Sequence, residues 1–384
     1  MVKLSQETKK TSLLELALLF LRLGTTAFGG PAAHIALMED EVVRRRGWMT
    51  HQEFLDLLGA TNLIPGPNST EMAIHIGHRR AGWKGLFVAG TSFILPAVLI
   101  VTVVAWAYVR YGSLPRVTGI LYGIKPVIIA IVLQALWSLV KTSIKTKFLA
   151  AIAVGALILT FLGTHELLIL LGAGVLVGSW HLVRHSGSRG LTLTLSTTHL
   201  AIFLSSGAAS TFGLWWLFLF FLKVGAVLYG SGYVLLAFIR ADLVERWHWL
   251  TESQLLDAIV VGQVTPGPVF TTATFVGYVL GGPKGALVAT VGIFLPAFFF
   301  VAVSGPLVPR IRRSPTAGAF LDGVNAGALA LMIVVTLQLG RAALIDLPTI
   351  ALALLSAIIL FCFRLNSVWL IIGGAVVGWF VYGH

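Results

Sequence analysis

Long runs without a charged residue dominate the hydrophobic pattern of the chain. They cover residues 85–109, 258–283, 285–309 and 323–340. A helix needs about 20 mostly apolar residues to cross a bilayer, so each run predicts a transmembrane helix. The full length accommodates about 12 to 13 such segments at roughly 25 to 30 residues per span and connection. The pattern therefore predicts an all-α polytopic integral membrane protein without a soluble domain.

Composition agrees with this prediction. Of 384 residues, 57% are hydrophobic and 11% are charged, against about 25% charged residues in soluble domains. The net charge of +12 comes from basic residues in short loops, such as 44–46 and 310–313, which the positive-inside bias explains without a nucleic-acid partner. The single cysteine, Cys362, excludes a disulfide framework within the chain and a thiolate metal site.

The chain contains an internal repeat. Residues 20–67 match residues 221–268 at a constant offset of 201, and after a one-residue deletion the match continues at an offset of 200 as far as Gly123 and Gly323. The identical pairs include Gly24 and Gly225, Trp48 and Trp249, Thr50 and Thr251, Asp56 and Asp257, and the two Pro-Gly-Pro tripeptides. This match indicates duplication.

The repeat divides the chain into a cytoplasmic tail at 1–12, a first repeat at 13–185, a linker at 186–212 and a second repeat at 213–384. The polar, basic start lacks the small-residue pattern of a cleaved signal peptide. The predicted segments of each half share one order: an apolar segment, an amphipathic stretch, an apolar segment broken by Pro-Gly-Pro, and four spans. Apart from the broken segments, which contain residues 65–67 and 266–268, they lie at 13–30, 34–50, 86–109, 117–140, 148–163 and 167–183, and at 213–239, 240–252, 285–305, 317–340, 347–363 and 367–383.

Loop charges predict that the two repeats have opposite orientations. Lys141, Lys145 and Lys147 mark one loop of the first half, whereas the second half concentrates its charge one loop earlier, at 310–313. Inverted repeats carry their positive charge in non-equivalent loops in this way, because the positive-inside bias acts on loops that face the cytoplasm. Inversion requires one further crossing, which we assign to an extra helix around 192–211.

The two Pro-Gly-Pro tripeptides are the strongest indication of a substrate site. We call Pro65–Gly66–Pro67 the first break and Pro266–Gly267–Pro268 the second break. Proline interrupts a helix, and paired interruptions in two repeats mark the binding sites of secondary transporters. A restarted helix offers N–H groups and a positive dipole end to anions. Asn68, Ser69, Thr70, Thr271 and Thr272 follow the breaks and add polar groups, although a proline kink used only for packing is the alternative.

Basic residues at matched positions suit an anionic substrate. Arg22 and Lys223 occupy equivalent positions in the first segment of each half, and charges within a membrane are costly and usually functional. Snorkelling to the headgroups is the alternative. Lys125 aligns with Asn325, and each side chain either faces the cavity or lies near an interface.

Acidic and imidazole groups are the candidates for proton coupling. Glu71 follows the first break, with His75 and His78 on the same helical face, and Asp56 and Asp257 match in the segments before the breaks. Histidine titrates near physiological pH, whereas capping or interface pairing is the alternative for the aspartates. A metal site at the histidines, including His34, lacks a supporting motif, so we expect no metal and no cofactor.

Nearly the whole chain resembles the chromate transporter (CHR) family in its long two-domain form. The sequence segments that carry the resemblance are Phe28-Gly29-Gly30-Pro31 with His34, the 41–48 region, Pro65 to Thr70, Gly230 to Val234, Thr265 to Val269, and Phe320 to Asn325. The resemblance implies a prokaryotic inner-membrane carrier that exports chromate, driven by the proton motive force, with halves of opposite orientation.

The function predicted from both lines is an alternating-access carrier, an antiporter of protons and a tetrahedral oxyanion. Sulfate or another oxyanion moved inward or by exchange, and an anion channel, stay open as alternatives. An enzyme is not expected, because nucleophile and nucleotide motifs are absent. The expected partners are chromate or sulfate, protons and lipid, with a homodimer left open. The predicted substrate site comprises Arg22, Lys223, Gly66, Gly267, Lys125, Asn325 and the five polar residues after the breaks.

Overall fold

The computed structural model describes residues 11–27, 30–185, 211–229, 232–312, 314–363 and 367–382, and these residues form helices without a strand. The predicted extra helix around 192–211 lies almost wholly outside the described residues. The helices of the first half are α1 (Leu13–Thr26), α2 (Gly30–Glu39), α3 (His51–Thr61), α4 (Asn68–Tyr111), α5 (Pro115–Ser143), α6 (Lys147–Phe161) and α7 (Glu166–His185).

The second half repeats this order. Its helices are α8 (Leu214–Val227), α9 (Leu235–Phe238), α10 (Glu252–Val264), α11 (Thr272–Arg312), α12 (Pro315–Ala343), α13 (Leu347–Phe363) and α14 (Ser367–Tyr382). Among the described residues, five helices are long and apolar enough to cross a membrane: α4, α5, α7, α11 and α12. Four shorter helices, α6, α8, α13 and α14, are also apolar. The all-helical membrane fold with two repeated halves is confirmed.

The first apolar segment of each half is shorter than the sequence predicts. The predicted segments 13–30 and 213–239 end as helices at Thr26 and Val227, where Ala27 and Leu228 take an extended conformation. The carbonyls of these two residues accept hydrogen bonds from the opposite half, so the chain leaves the helix there. With 14 residues each, α1 and α8 are too short to cross a bilayer alone.

The amphipathic stretches form curved helices that pack on the protein. In the first half α2 continues into a π-helical turn at Asp40–Arg45, and in the second half α9 continues into one at Ile239–Arg246. Single π-helical turns occur frequently at functional sites. Thr50 and Thr251 then begin α3 and α10 with complete capping boxes, which satisfy two backbone donors at each start.

The two breaks are joined to the opposite halves by matched main-chain hydrogen bonds. Gly66 N–H donates to the Leu228 carbonyl at 2.8 Å, and Gly267 N–H donates to the Ala27 carbonyl at 3.1 Å. The offset of 201 converts one bond into the other. Each break therefore satisfies the end of a helix from the other repeat, which a bilayer interior requires because it offers no water to backbone groups.

The long helices α4 and α11 each contain a kink at the same repeat position. Gly82 and Gly282 have φ values of +61° and +60°, a region that favours glycine. Beyond the kinks Phe87 of α4 stacks on Phe298 of α11, with ring centroids 5.8 Å apart. The repeat equates Phe87 with Leu287, so equivalent residues of the two helices do not lie at the same level. A parallel pair would bring equivalent residues to the same level.

The halves are intertwined rather than side by side. Helix α5 packs against α13 and α14 of the second half, and α12 packs against α6 and α7 of the first half. Two polar bonds also link the halves around α5 and α12. Tyr122 donates to Asp346 at 2.6 Å, and Lys145 pairs with Asp322 at 2.7 Å. Each half therefore completes its core with two helices from the other.

We expect Gly267→Ala to destabilise the fold strongly. Gly267 has a φ of +95°, and a Cβ there would lie 2.7 Å from the Cβ of Ala97. The backbone conformation costs roughly 1–3 kcal/mol for a residue with a side chain, and overpacking adds a similar amount. The control is Gly172→Ala in α7, where a Cβ meets no atom within 4 Å. Thermal unfolding in detergent measures both, and equal midpoints would contradict this account of the break.

Candidate substrate site

The first break carries a set of buried polar side chains. Gly66 has a φ of +137°, and α4 restarts at Asn68, where the N–H groups of Thr70 and Glu71 bond to the Pro67 carbonyl. Ser69, Thr70 and Glu71 are at most 2% exposed. The structure thus brings together the polar residues that the sequence predicts after the first break.

Glu71 has unusual surroundings for an acidic side chain. It is fully buried, and neither carboxyl oxygen has a hydrogen-bond partner among the described residues. One of these oxygens lies so close to Gly66 that a Cβ built there would clash with it, so the carboxyl group lies directly against the break. His75, one helical turn further, is 6% exposed and its Nε2 also has no hydrogen-bond partner in the described part of the chain. Burial without partners is costly for a carboxylate, so this geometry suits a protonated acid.

The second break has a different character. Val269 and Phe270 stand where the first break has Asn68 and Ser69. The hydroxyl of Thr271 donates to the Pro268 carbonyl and that of Thr272 to the Val269 carbonyl, both at 2.8 Å. These hydroxyl protons are therefore engaged within the first turn in this structure, and a role for the two threonines as anion donors stays a prediction.

Arg22 and Lys223 each form an ion pair with a buried acid. Arg22 binds Glu41, and Lys223 binds Asp242. The offset of 201 relates the acids as well as the cations. Each acid also binds an arginine four residues later, Arg45 or Arg246. The structure thus shows two matched ion-pair groups that join the first helix of each half to its π-helical turn, and neither cation contacts a break.

The second-half ion pair also contacts the first half. Arg246 binds Glu166 at 3.1 Å, at the start of α7. His165, Glu166 and Asp242 are close enough to one another to offer ligand atoms to a metal ion. Lys223 and Arg246 already balance the charge of these carboxylates. The predicted absence of a metal site stays a prediction.

A buried ion pair links the halves near α10. Lys125 lies 3.0 Å from Asp257, which also accepts a hydrogen bond from Tyr108 at 2.8 Å. The repeat equivalent of this pair is Asn325 with Asp56. Asp56 is exposed and accepts a hydrogen bond from Gln52 at 3.3 Å. The pair therefore exists in one copy, and its residues lie apart from the first break.

A cavity of about 610 Å³ lies beside the first break. Its lining is rich in amides, hydroxyls and lysines. The polar lining residues are Asn62, Asn68, Ser138, Lys141, Thr142, Lys145, Tyr229, Tyr233 and Asn325. All except the two lysines can both donate and accept hydrogen bonds. Such a lining suits an oxyanion.

The cavity joins two predicted site residues, Asn68 and Asn325, and adds residues that the sequence analysis missed. Lys141 and Lys145 were interpreted only as loop charges that set topology. Asn62 and the two tyrosines drew no attention, because a single amide or tyrosine near an apolar run has no distinctive pattern. The position of Asn62 just before the first break is the sequence signal that could have identified it. Its side chain accepts a hydrogen bond from Asn68, on the other side of the break, at 2.8 Å.

The fold and this cavity define a class of protein. A polytopic helical membrane protein with two repeats, paired helix breaks and a polar cavity beside one break is a membrane transporter. The sequence profile of the chromate transporter family matches residues 14–178 and 215–379. The chain belongs to this family, whose members are transporters and not enzymes.

Curated relatives cover nearly the full length. The chain is 33% identical over 378 residues to the "Chromate transport protein" of Cupriavidus metallidurans, covering 97% of this chain and 94% of the relative. It is 32% identical to the protein of the same description from Pseudomonas aeruginosa, over 94% and 91% of the two chains. A "Probable chromate transport protein" of Synechococcus elongatus is 30% identical over 90% and 89%. No solved structure matches the chain.

We expect Lys125→Gln to destabilise the protein by about 3–5 kcal/mol, since it leaves a buried charge on Asp257 without its cation. The double variant with Asp257→Asn should recover part of this loss. The matched control is Lys145→Gln, because Lys145 and Asp322 also link the halves but are 57% and 31% exposed, which limits the loss to about 0–1 kcal/mol. Unfolding in detergent measures these three variants and the single variant Asp257→Asn, and a loss in the double variant equal to the sum of the two single losses would contradict a direct pair.

Proposed function

We propose that the protein is a secondary carrier of a tetrahedral oxyanion, with chromate as substrate, which it exports across the inner membrane of a prokaryote. Family membership supports chromate as the substrate class. The observation that carries the proposal is the polar cavity beside the first break. Its amides, hydroxyls and two lysines can replace the hydration of a divalent oxyanion without a metal.

The internal symmetry supports alternating access. The N–H groups of the two breaks donate hydrogen bonds to residues at the ends of the first helices of the opposite halves, and the contact of Phe87 with Phe298 fits an antiparallel arrangement of α4 and α11. Antiparallel central helices are what oppositely oriented repeats require. Rocking of one half against the other around the breaks would open the site to either face in turn. The proposed repeats are residues 13–185 and 213–384.

Glu71 is the proposed proton carrier. Its carboxyl group covers Gly66 and has no partner among the described residues. Desolvation favours the neutral acid, and exposure to water on one face would allow the proton to leave. His75 is the second candidate in the same helix. Asp257 is a weaker candidate than its sequence position indicated, because Lys125 and Tyr108 hold its charge.

Arg22 and Lys223 are best explained as structural cations of the carrier. Their ion pairs connect α1 and α8 to the π-helical turns, and these are the helices whose ends bind the opposite breaks. We propose that these pairs transmit movement of a break to the neighbouring turn. The acids Glu41 and Asp242 are then as important as the cations.

The direct test of the function is transport of chromate in energised, everted membrane vesicles that contain the protein. Chromate uptake into everted vesicles that collapses with an uncoupler would support energised export. Uptake only into right-side-out vesicles would instead support an importer, and inhibition by excess sulfate would indicate a shared site. A flux that does not saturate and ignores the uncoupler would indicate a channel.

We expect Glu71→Gln to abolish proton-driven chromate accumulation while it preserves exchange of chromate for chromate. The variant keeps the shape of the side chain but cannot release a proton. The matched control is Glu53→Gln, in the capping box of α3, which should retain both activities. Vesicle uptake with a pH gradient, compared with counterflow at equal pH, separates the two. Full accumulation by Glu71→Gln would assign the proton to another group.

Reporter fusions should place equivalent loops of the two repeats on opposite faces of the membrane. The fusion points are Lys147, after α5, and Asp346, after α12. Oppositely oriented repeats put one on the cytoplasmic side and the other on the far side. An alkaline phosphatase and fluorescent protein pair reports each location, and the same location at both points would reject inversion.

A further inference from the structure

A second, smaller cavity lies at the second break. Its volume is about 90 Å³ and it is more enclosed than the cavity beside the first break. We call it the inner chamber. One water needs roughly 10–15 Å³ by the same kind of measure, so the inner chamber has room for several waters or one small oxyanion. Its side-chain lining includes His34, Gln134, Tyr233, Gln263 and Ser367, which come from both halves.

His34 gives the inner chamber an unsatisfied polar group. The residue is 1% exposed, its Nε2 lies 3.1 Å from the Ala27 carbonyl, and its Nδ1 has no hydrogen-bond partner among the described residues. A carbonyl oxygen only accepts, so Nε2 carries a proton. Nδ1 then contacts an anion only as a second N–H donor, that is, as part of an imidazolium. Buried polar groups normally have partners, so the free Nδ1 points to a ligand.

Further donors surround this imidazole. Gln263 accepts a hydrogen bond from Tyr233 at 3.1 Å through its oxygen, so its amide N–H groups are oriented away from that contact. Gln134 and Ser367 can donate from other sides of the inner chamber. Burial lowers the pKa of His34 to about 4, and an anion in contact with Nδ1 would favour the protonated imidazole instead. The imidazolium and several neutral donors in an enclosed space then suit a small anion, because hydrogen bonds to charged groups are strong where water is excluded.

The repeat shows that part of this lining is specific to the second break. At the offset of 201, His34 corresponds to Leu235, and Thr265 of the chamber lining corresponds to Ile64, whereas Gln263 corresponds to Asn62. The first break therefore has an equivalent of the amide but not of the imidazole or the hydroxyl. Tyr233 lines both the inner chamber and the larger cavity beside the first break. The two spaces are neighbours, with this tyrosine between them.

We propose that the inner chamber is the occluded binding site of the transported oxyanion, held by His34 and by the amides of Gln134 and Gln263 with the Ser367 hydroxyl. The larger cavity, with Lys141 and Lys145, is then the entrance that collects the anion from one face. Tyr233 separates the two and moves when the anion passes. This inference rests on the proposed function and assigns its binding step to residues at the second break.

The test measures binding of radiolabelled sulfate to the purified full-length protein in detergent, with chromate as competitor. We expect His34→Leu and Gln134→Leu each to weaken binding at least 10-fold. His34→Gln, which keeps one amide donor, should lose less than His34→Leu. The matched controls are His78→Leu, whose imidazole lies edge-on to Trp83, and Gln338→Leu, which lines a different cavity. Both controls should bind as the unchanged protein does.

Gel filtration and thermal unfolding check that each variant folds. If both leucine variants misfold, Ser367→Ala provides the second measurement, because it removes one donor and adds no bulk; we then expect a loss of about 3-fold or more. Unchanged affinity in the folded chamber variants would overturn the inference and leave the carrier proposal standing. If the unchanged protein binds neither anion and transports neither in vesicles, the carrier proposal itself fails. Weaker binding in Lys141→Gln alone would place the site in the larger cavity instead.

Discussion

The interaction on which the rest of this structure depends is a pair of main-chain hydrogen bonds, from Gly66 to Leu228 and from Gly267 to Ala27. A helix that stops inside a bilayer leaves carbonyl and N–H groups without water to bind. Here the break of one repeat provides the missing donor for the helix end of the other. Short helices at the centre, room for polar side chains and contact between halves all follow from this exchange.

The exchange is symmetric, but the side chains around it are not. The first break has Asn68 and a buried acid, Glu71, whereas the second has Val269 and Thr272 at the equivalent positions. Polar lining for the second break comes instead from more distant residues such as His34 and Gln134. Duplication thus supplied a common backbone, and later substitution gave each break its own chemistry. In the proposed carrier, this difference would give the proton and the anion separate places.

The sequence allowed prediction of features that depend on local pattern. The long spans, the repeat and the two breaks follow from hydrophobic runs and offsets, and the described residues contain them. The partners of Arg22 and Lys223 were missed, although Glu41 and Asp242 share the same offset, because mixed charges near an apolar run are typical of a surface helix. The inner chamber could not be predicted, since His34 and Gln263 meet only through tertiary packing.

The packing of α5 against α13 and α14 has a consequence for how the protein is made. Helix α5 enters the membrane during synthesis well before its partners, because all of α6 to α12 lies between them in the chain. During that interval its small-residue face, including Gly123 against Gly374 and Gly378, is covered only by lipid or by another protein. The first half therefore cannot reach its final packing on its own, and the chain completes assembly only when its last helices emerge. A truncated product that lacks α13 and α14 would expose this face and be a natural target for membrane quality control.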